Sequence, residues 1–145
     1  MDKEIRSAKQ ADEEVIATLA GQLGYSSSVC EIRERLVEIL EDGDQAVLVA
    51  ESAEKEVVGW VHVFKAQRLI VEPFVEIGGL IVGEGQRGSG VGKALLAAAE
   101  AWAQDHGVSD MRVRSNVIRS GAHSFYERLG YCCVKRQNLF YKTIS

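Results

Sequence analysis

Arg87, Gly90, Gly92 and Lys93 have the residue types and spacing of an anion site. They lie in the run Arg-Gly-Ser-Gly-Val-Gly-Lys-Ala-Leu-Leu of residues 87–96. Glycines at positions 88, 90 and 92 alternate between an arginine and a lysine, and an apolar run follows directly. A turn needs one or two glycines. Three let main-chain N–H groups approach a ligand that side chains would hold off, and they tolerate positive φ. A helix beginning here would present unsatisfied N–H groups and the positive end of its dipole to an anion. Each charge so placed gains about 0.3–1 kcal/mol, and about 2 kcal/mol when partly buried. Arg87 and Lys93 add counter-charge. The competing reading is a glycine-rich turn with no ligand.

Two familiar phosphate motifs do not fit. A P-loop ending at Gly92-Lys93 would need glycine at 87, where arginine stands, and Ser or Thr at 94, where alanine stands. Gly83, Gly85 and Gly88 satisfy the glycine spacing of a dinucleotide fingerprint, but more glycines follow before any helix starts. The acidic residue about twenty positions on, Asp105, falls inside the predicted helix rather than at a strand end.

The elements that must hold this loop follow from the hydrophobic pattern. Residues 5–9 read as a short strand. Asp12 can cap a helix bearing Ile16, Leu19, Ala20 and Leu23 on one face, which Gly24 stops. Ser28 and Glu31 form a capping box for a second helix with Val29, Ile32, Leu36 and Leu40 inward, ended by Gly43. Residues 45–51, 56–66 and 74–82 are apolar runs of strand length, the last preceded by Pro73. Residues 90–107 form the strongest helix, with a stripe of Val91, Leu95, Ala98 and Trp102 and a stop at Gly107. A strand over 110–117, a helix over 120–130 and a final strand or hairpin over 131–144 complete the order. This predicts one domain over residues 1–145, α/β in content, with a mixed sheet and helices on both faces.

Composition narrows the function. A net charge of −4 and a pI near 5.4 argue against a nucleic-acid binder, which would carry a basic face. No apolar run reaches the roughly 18–20 residues of a membrane span, and the polar start shows no signal peptide, so a cytoplasmic protein is expected. Cys30, Cys132 and Cys133 have neither disulfide nor metal spacing and read as reduced thiols in the core.

Arg87-x-x-Gly90-x-Gly92 after a strand, with Phe-Tyr-Glu-Arg-Leu-Gly-Tyr at 125–131, resembles the GNAT superfamily of acetyl-CoA-dependent N-acetyltransferases. The resemblance covers nearly the whole chain. Glu-Ile-Gly-Gly-Leu-Ile-Val (76–82) is similar to that family's fourth strand, and Ala-His-Ser-Phe-Tyr-Glu-Arg-Leu-Gly-Tyr (122–131) to its last helix entering the final strands. It implies the GNAT fold, with a mostly antiparallel sheet, and acetyl-CoA as acetyl donor. The fourth and fifth strands would splay, and the pantetheine arm would bond the backbone of Leu80, Ile81 and Val82. The pyrophosphate would rest on the amides of Arg87, Gly88, Ser89, Gly90, Val91, Gly92 and Lys93.

The resemblance also assigns chemistry. Tyr126 aligns with the family's tyrosine near the CoA sulfur, as general acid or as a packing residue that bonds CoA. A thiol of pKa near 8.5 is a tolerable leaving group, so such an acid contributes about 10²–10⁴-fold. Asn116 would bind the pantetheine arm or order a water, and Arg119 would reach a CoA phosphate or stand exposed. His123 would act in catalysis, cap its helix or face solvent. A primary ammonium, of pKa about 10.4, is neutral in only about one molecule in a few thousand at pH 7, so a base is needed. Glu76, acidic inside an apolar strand, is the first candidate and a salt-bridged glutamate the alternative. His62 is a second. Tyr25, Ser26 and Ser27 fall where the family walls its acceptor pocket; Trp60, Phe64 and Phe74 line that pocket or fill the core.

Gly-Glu-Gly-Gln-Arg-Gly (83–88) departs from the acidic or proline turn usual there, and no acceptor signature is present. The resemblance therefore implies transfer from acetyl-CoA to a primary amine, of a small molecule rather than a peptide, in a ternary complex. Alternatives are a non-catalytic acyl-CoA sensor, a protein acetyltransferase, a longer-chain acyltransferase or an interaction module. A homodimer through the C-terminal strands is a further expectation.

Overall fold

The computed structural model describes residues 3–25, 27–86, 88–114 and 120–145. Arg87, Asn116 and Arg119 of the expected site, and Ser26 of the expected acceptor wall, lie outside the described residues. Two compact units, Met1–Val113 and Arg114–Ser145, are described in turn.

The first unit holds β1 (Glu4–Ser7), a 3-10 turn (Gln10–Asp12), α1 (Glu13–Gln22), α2 (Val29–Glu41), β2 (Gln45–Glu51), β3 (Val57–Arg68), β4 (Val71–Val82), α3 (Val91–Asp105) and β5 (Met111–Val113). The strands form one sheet in chain order. The first three pairings are antiparallel and β4–β5 is parallel. The expected mixed, mostly antiparallel sheet is therefore present, with helices on both faces.

Strand alternation sorts the two faces. Val61 and Val63 of β3 and Ile77 of β4 are buried on the α3 side. Gly59 lets α3 settle there: a Cβ on it would lie 3.0 Å from Val91 Cγ1 and 3.1 Å from Leu95 Cδ1. This contact sets the phase of α3. Its buried residues are Val91, Leu95, Leu96, Ala99 and Ala103, so the expected stripe through Ala98 and Trp102 is corrected by rotation of the helix. Trp102 stacks on His106 instead, with ring centroids 4.0 Å apart. On the opposite face Ile16 and Leu36 pack with Val47, Val49 and the half-buried Trp60, whose Nε1–H donates to Ile16 O at 3.2 Å.

The Ser28–Glu31 capping box is formed as expected. The inward face of α2 runs through Ile32, Leu36 and Ile39, while Leu40 is exposed. Cys30 points outward on the same helix. All three cysteines are free but exposed, a correction to the expected core thiols. Pro73 lies inside β4 rather than ahead of it. Ala66 faces Phe74 and Arg68 faces Val71, so Glu72 and Pro73 oppose Gln67 alone. Such a bulge tolerates a residue with no N–H to donate.

Among the described residues of this unit Asp12 is the buried charged one, bonded by Arg6 at 2.9 and 3.1 Å and by the Lys9 amide at 2.7 Å. The Arg6 hydrogen bond, against opposing desolvation, lowers its pKa. A carboxyl whose folded pKa lies below its unfolded value of about 3.9 lends stability above that pH and loses it as pH falls through the folded pKa. Asp12→Asn is expected to be less stable than wild type at pH 7 and to lose less on acidification, as read by denaturant midpoints across pH 2–6.

The second unit holds α4 (Ser120–Arg128), closed by Leu129 N–H and Tyr131 N–H donating to Tyr126 O at 3.1 and 3.0 Å. The strand expected over 131–144 is absent from the described residues. β5 covers Met111–Val113, and residues 115–117 of the strand expected over 110–117 lie outside the described residues. Val134, Leu139, Phe140, Tyr141 and Ile144 are each at least 86% exposed.

Candidate functional site

The site is built on an irregularity in β4. His62 faces Gly79 across the β3–β4 pair, but Val63 faces Ile77, so Gly78 is an extra residue on β4. This bulge turns Gly78 and Gly79 towards the rings of β3. A Cβ on Gly78 would lie 2.7 Å from His62 Nδ1 and 3.3 Å from a Phe64 ring carbon; one on Gly79 would lie 3.2 Å from the Trp60 ring. The Gly-Gly pair is thus required by close approach. Gly78→Ala is expected to cost about 1–3 kcal/mol, the usual range for overpacking. A denaturant melt checks this, with Gly79→Ala expected to cost less.

The bulge follows the parallel pairing of β4 with β5. Among the described residues β5 lies beside β4 at Val75, Glu76 and Ile77. Beyond Ile77, β4 has β3 as its strand neighbour among the described residues of this unit. Gly83 N–H donates to Val58 O at 2.9 Å, and backbone direction alternates along a strand. The polar groups of Ile81 therefore turn towards β3, while those of Leu80 and Val82 turn to the β4 edge away from β3. An extended ligand laid along that edge would meet Leu80 and Val82.

β4 leads into the glycine loop. The Glu84 amide donates to Gln22 Oε1 at 2.9 Å, tying the loop to the end of α1. Ser89 donates its amide and its hydroxyl to Gln86 O, so this residue is already engaged within the loop. Gly90 is the N-cap of α3 with φ +88°, a left-handed conformation that favours glycine. A Cβ on Gly90 would meet nothing within 4 Å, so the space above the helix start is open. The helical ladder begins with Ala94 N–H to Gly90 O at 3.0 Å. Gly90, Val91, Gly92 and Lys93 consequently present amides with no intrahelical acceptor. Lys93 is exposed beside them, Val91 is buried and Gly88 stands one turn earlier. The open cradle, the spare amides and the lysine fit a diphosphate.

The opposite side of the bulge is acidic. Glu76 faces Phe64 in register, is half-buried, and has Oε1 shielded from solvent. Asp42, Asp44, Gln45, His62, Phe64 and Lys65 line an adjoining open cleft of about 350 Å³. His62 Nε2 lies 2.9 Å from Gln45 Oε1, and Gln45 Nε2 donates to Asp42 Oδ2 at 3.0 Å. Burial lowers the His62 pKa, and the hydrogen bonds from Gln45 and then the Asp44 amide lower that of Asp42. Phe64 lines the cleft, Phe74 is in the core, and Trp60 divides between core and bulge. Tyr25 is exposed. Sequence reasoning missed Asp42 and Gln45, since only the register of β2 on β3 brings them to His62.

Glu76, Leu80, Ile81 and Val82 thus share one strand with the loop that carries Gly88–Lys93. In the second unit Tyr126 and His123 lie one helical turn apart on α4. The Tyr126 ring makes edge contacts with Phe125 and Tyr131, at centroid separations of 5.2 and 5.8 Å. Among the described residues no cluster of three or more metal-ligating side chains occurs, and no helix is long and apolar enough to cross a membrane.

Residues 13–131 match the model of the acetyltransferase (GNAT) family. The chain is 33% identical over 131 residues to an aminoglycoside N(6')-acetyltransferase type 1 of Stenotrophomonas maltophilia, covering 88% of this chain and 84% of that one. Among solved structures it is similar to AAC(6')-Iy in complex with a bisubstrate analog, CoA-S-monomethyl-acetylneamine, with a TM-score of 0.90 and 20% identity, covering 99% of this chain and 100% of that one. It is also similar to the aminoglycoside 6'-N-acetyltransferase AAC(6')-Ih from Acinetobacter baumannii, with a TM-score of 0.87 and 15% identity over 99% of both chains.

Proposed function

Since the chain belongs to the acetyltransferase (GNAT) family, we propose that it moves the acetyl group of acetyl-CoA to a primary amine of a small cationic molecule, by direct attack in a ternary complex. The observation that supports this reading is the run of β4 from the Gly78 bulge to the glycine loop, along which the polar groups of Leu80 and Val82 turn away from β3. That strand leads from beside an acidic cleft to an amide cradle.

Each residue then has a task. The diphosphate of acetyl-CoA rests on the amides of Gly90–Lys93, with Lys93, Gly88 and Ser89 around it. Arg87, Asn116 and Arg119 add contacts on the strength of the sequence resemblance. The pantetheine arm follows Leu80, Ile81 and Val82, and the Leu80 amide, turned away from β3, polarises the thioester carbonyl. Holding amine and thioester in contact supplies much of the rate. Glu76 provides the carboxylate that receives the ammonium, and Tyr126 protonates the departing sulfur. No cysteine nucleophile takes part.

Cationic acceptors are favoured by Asp42 and Asp44 in the cleft and Glu76 beside it. The curated relative is named for aminoglycoside acetylation, and such polyamines fit that charge. The test is thiol release from acetyl-CoA with kanamycin, spermidine and an uncharged-backbone peptide amine. Turnover with a cationic small molecule, at a KM well below that for the peptide, is expected. Turnover with the peptide alone would overturn the acceptor class. A homodimer through the C-terminal segment belongs to the same proposal, supported by the exposed Leu139, Phe140 and Tyr141, and sedimentation equilibrium tests it.

A further inference from the structure

We propose that His62 is the proton acceptor for the attacking amine, positioned by Gln45 and Asp42, which fix its tautomer. The inference rests on the amine acetylation proposed above and refines it: Glu76 is the ammonium's counter-charge, and His62 takes its proton.

The argument begins at Asp42. An ionised carboxylate only accepts hydrogen bonds, so the Gln45 side chain must turn its NH₂ towards Asp42 Oδ2, 3.0 Å away. That leaves Gln45 Oε1 facing His62 Nε2 at 2.9 Å. An amide oxygen only accepts, so Nε2 carries the hydrogen. A neutral imidazole has a single N–H, and Nδ1 is therefore a bare lone pair. Burial disfavours the charged ring and keeps it neutral. Asp42 is itself fixed by the Asp44 amide, which donates to Oδ1 at 2.8 Å. The three side chains form a directed relay from the α2–β2 turn across β2 to β3.

The accepting nitrogen lies beside exposed backbone. Nδ1 is 2.7 Å from where a Cβ on Gly78 would stand, and Gly78 is exposed. The charged groups around the ring are Asp42 and Asp44 from the turn, Lys65 from β3 and Glu76 from β4. Their net negative charge draws in a cation, while desolvation returns the ring to its neutral form.

The step balances. The ammonium gives one N–H proton to Nδ1. The freed nitrogen lone pair forms the C–N bond at the thioester carbonyl carbon, and the C–S bond breaks with its electron pair going to sulfur. The nitrogen's second surplus proton offsets the one that sulfur gains. The products are the N-substituted acetamide, the CoA thiol and imidazolium, which passes its proton to water through the open cleft.

The test uses the full chain with acetyl-CoA and whichever of kanamycin and spermidine turns over faster. His62→Ala is expected to lower kcat by about 10²–10⁴-fold. It should leave acetyl-CoA affinity unchanged by calorimetry, remove the acid limb of the kcat–pH profile, and regain rate with added imidazole. Gln45→Leu, which keeps the ring but frees its tautomer, is expected to lower kcat without weakening acetyl-CoA. Nitrogen-15 NMR of the wild type should show His62 with protonated Nε2 and bare Nδ1, a readout that needs no turnover. Wild-type kcat and acid limb in His62→Ala, or a ring protonated at Nδ1, would overturn the assignment while leaving amine acetylation intact. A wild type that releases no thiol with either amine would overturn both.

Discussion

Replacing Tyr126 by phenylalanine is expected to lower kcat by about 10²–10⁴-fold while acetyl-CoA binds as in the wild type. The exchange removes one oxygen. The backbone around it is held independently, because Tyr126 O receives the amides of Leu129 and Tyr131 that close α4. The ring's edge contacts with Phe125 and Tyr131 are equally available to phenylalanine. The proposed loss is the phenol's proton, and a denaturant melt of the variant checks that folding is kept. A thiolate leaves alone more readily than an alkoxide, since its conjugate acid has a pKa near 8.5, and this caps the benefit of an acid. A tyrosine of ordinary pKa about 10 can give a proton and recover it in each turnover. Steady-state kinetics beside calorimetric acetyl-CoA titration reads the effect. An unchanged kcat would reduce Tyr126 to a packing residue.

Gly90→Val is expected to weaken acetyl-CoA by about 10²-fold or more. Two costs combine. At φ +88° a β-branched residue is strained by about 1–3 kcal/mol, which lowers stability. The larger effect falls on the ligand. The position of the missing Cβ is open space above the first turn of α3, where the diphosphate is proposed to lie. Filling it denies that anion about two charge-assisted hydrogen bonds, each worth about 1.5–3 kcal/mol. Gly90→Ala carries less of the steric cost and should lose less affinity. Calorimetry on folded variants separates the two contributions, since a thermal melt reports the strain alone. Full affinity in Gly90→Val would move the diphosphate elsewhere.

Local signals in the sequence read well where the physics was local. The Ser28–Glu31 box, the span of β2 and the glycine entry to α3 each depend on neighbours in the chain, and each is present. Phase and register depend on distant partners and were less legible. The alanine-rich α3 offers little contrast between its faces, so its buried side was decided by Gly59 on β3 rather than by its own pattern. Leu40 and Ile39 are equally apolar, and the packing of α2 on Val47 and Val49 chose Ile39.

The candidate site divides in the same way. Glu76 stands out as an acid in an apolar strand, and the glycine loop stands out by composition alone. The bulge at Gly78 was hidden, because a one-residue shift appears only when β3 and β4 are paired. The Asp42–Gln45–His62 relay was hidden too. Its members are spread over twenty residues and meet through the β2–β3 register. The terminal strand was a false expectation. A strand forms only beside a partner, and the described residues of its own unit contain none.

The central claim is that main-chain amides at the start of α3 hold the diphosphate of acetyl-CoA. Amide NMR on the nitrogen-15-labelled chain, titrated with acetyl-CoA, addresses it directly. The account predicts the largest shift changes at Gly90, Val91, Gly92 and Lys93, with a second group at Leu80 and Val82. Saturable binding that leaves the Gly90–Lys93 amides in place while others move, or no binding at all, would contradict it.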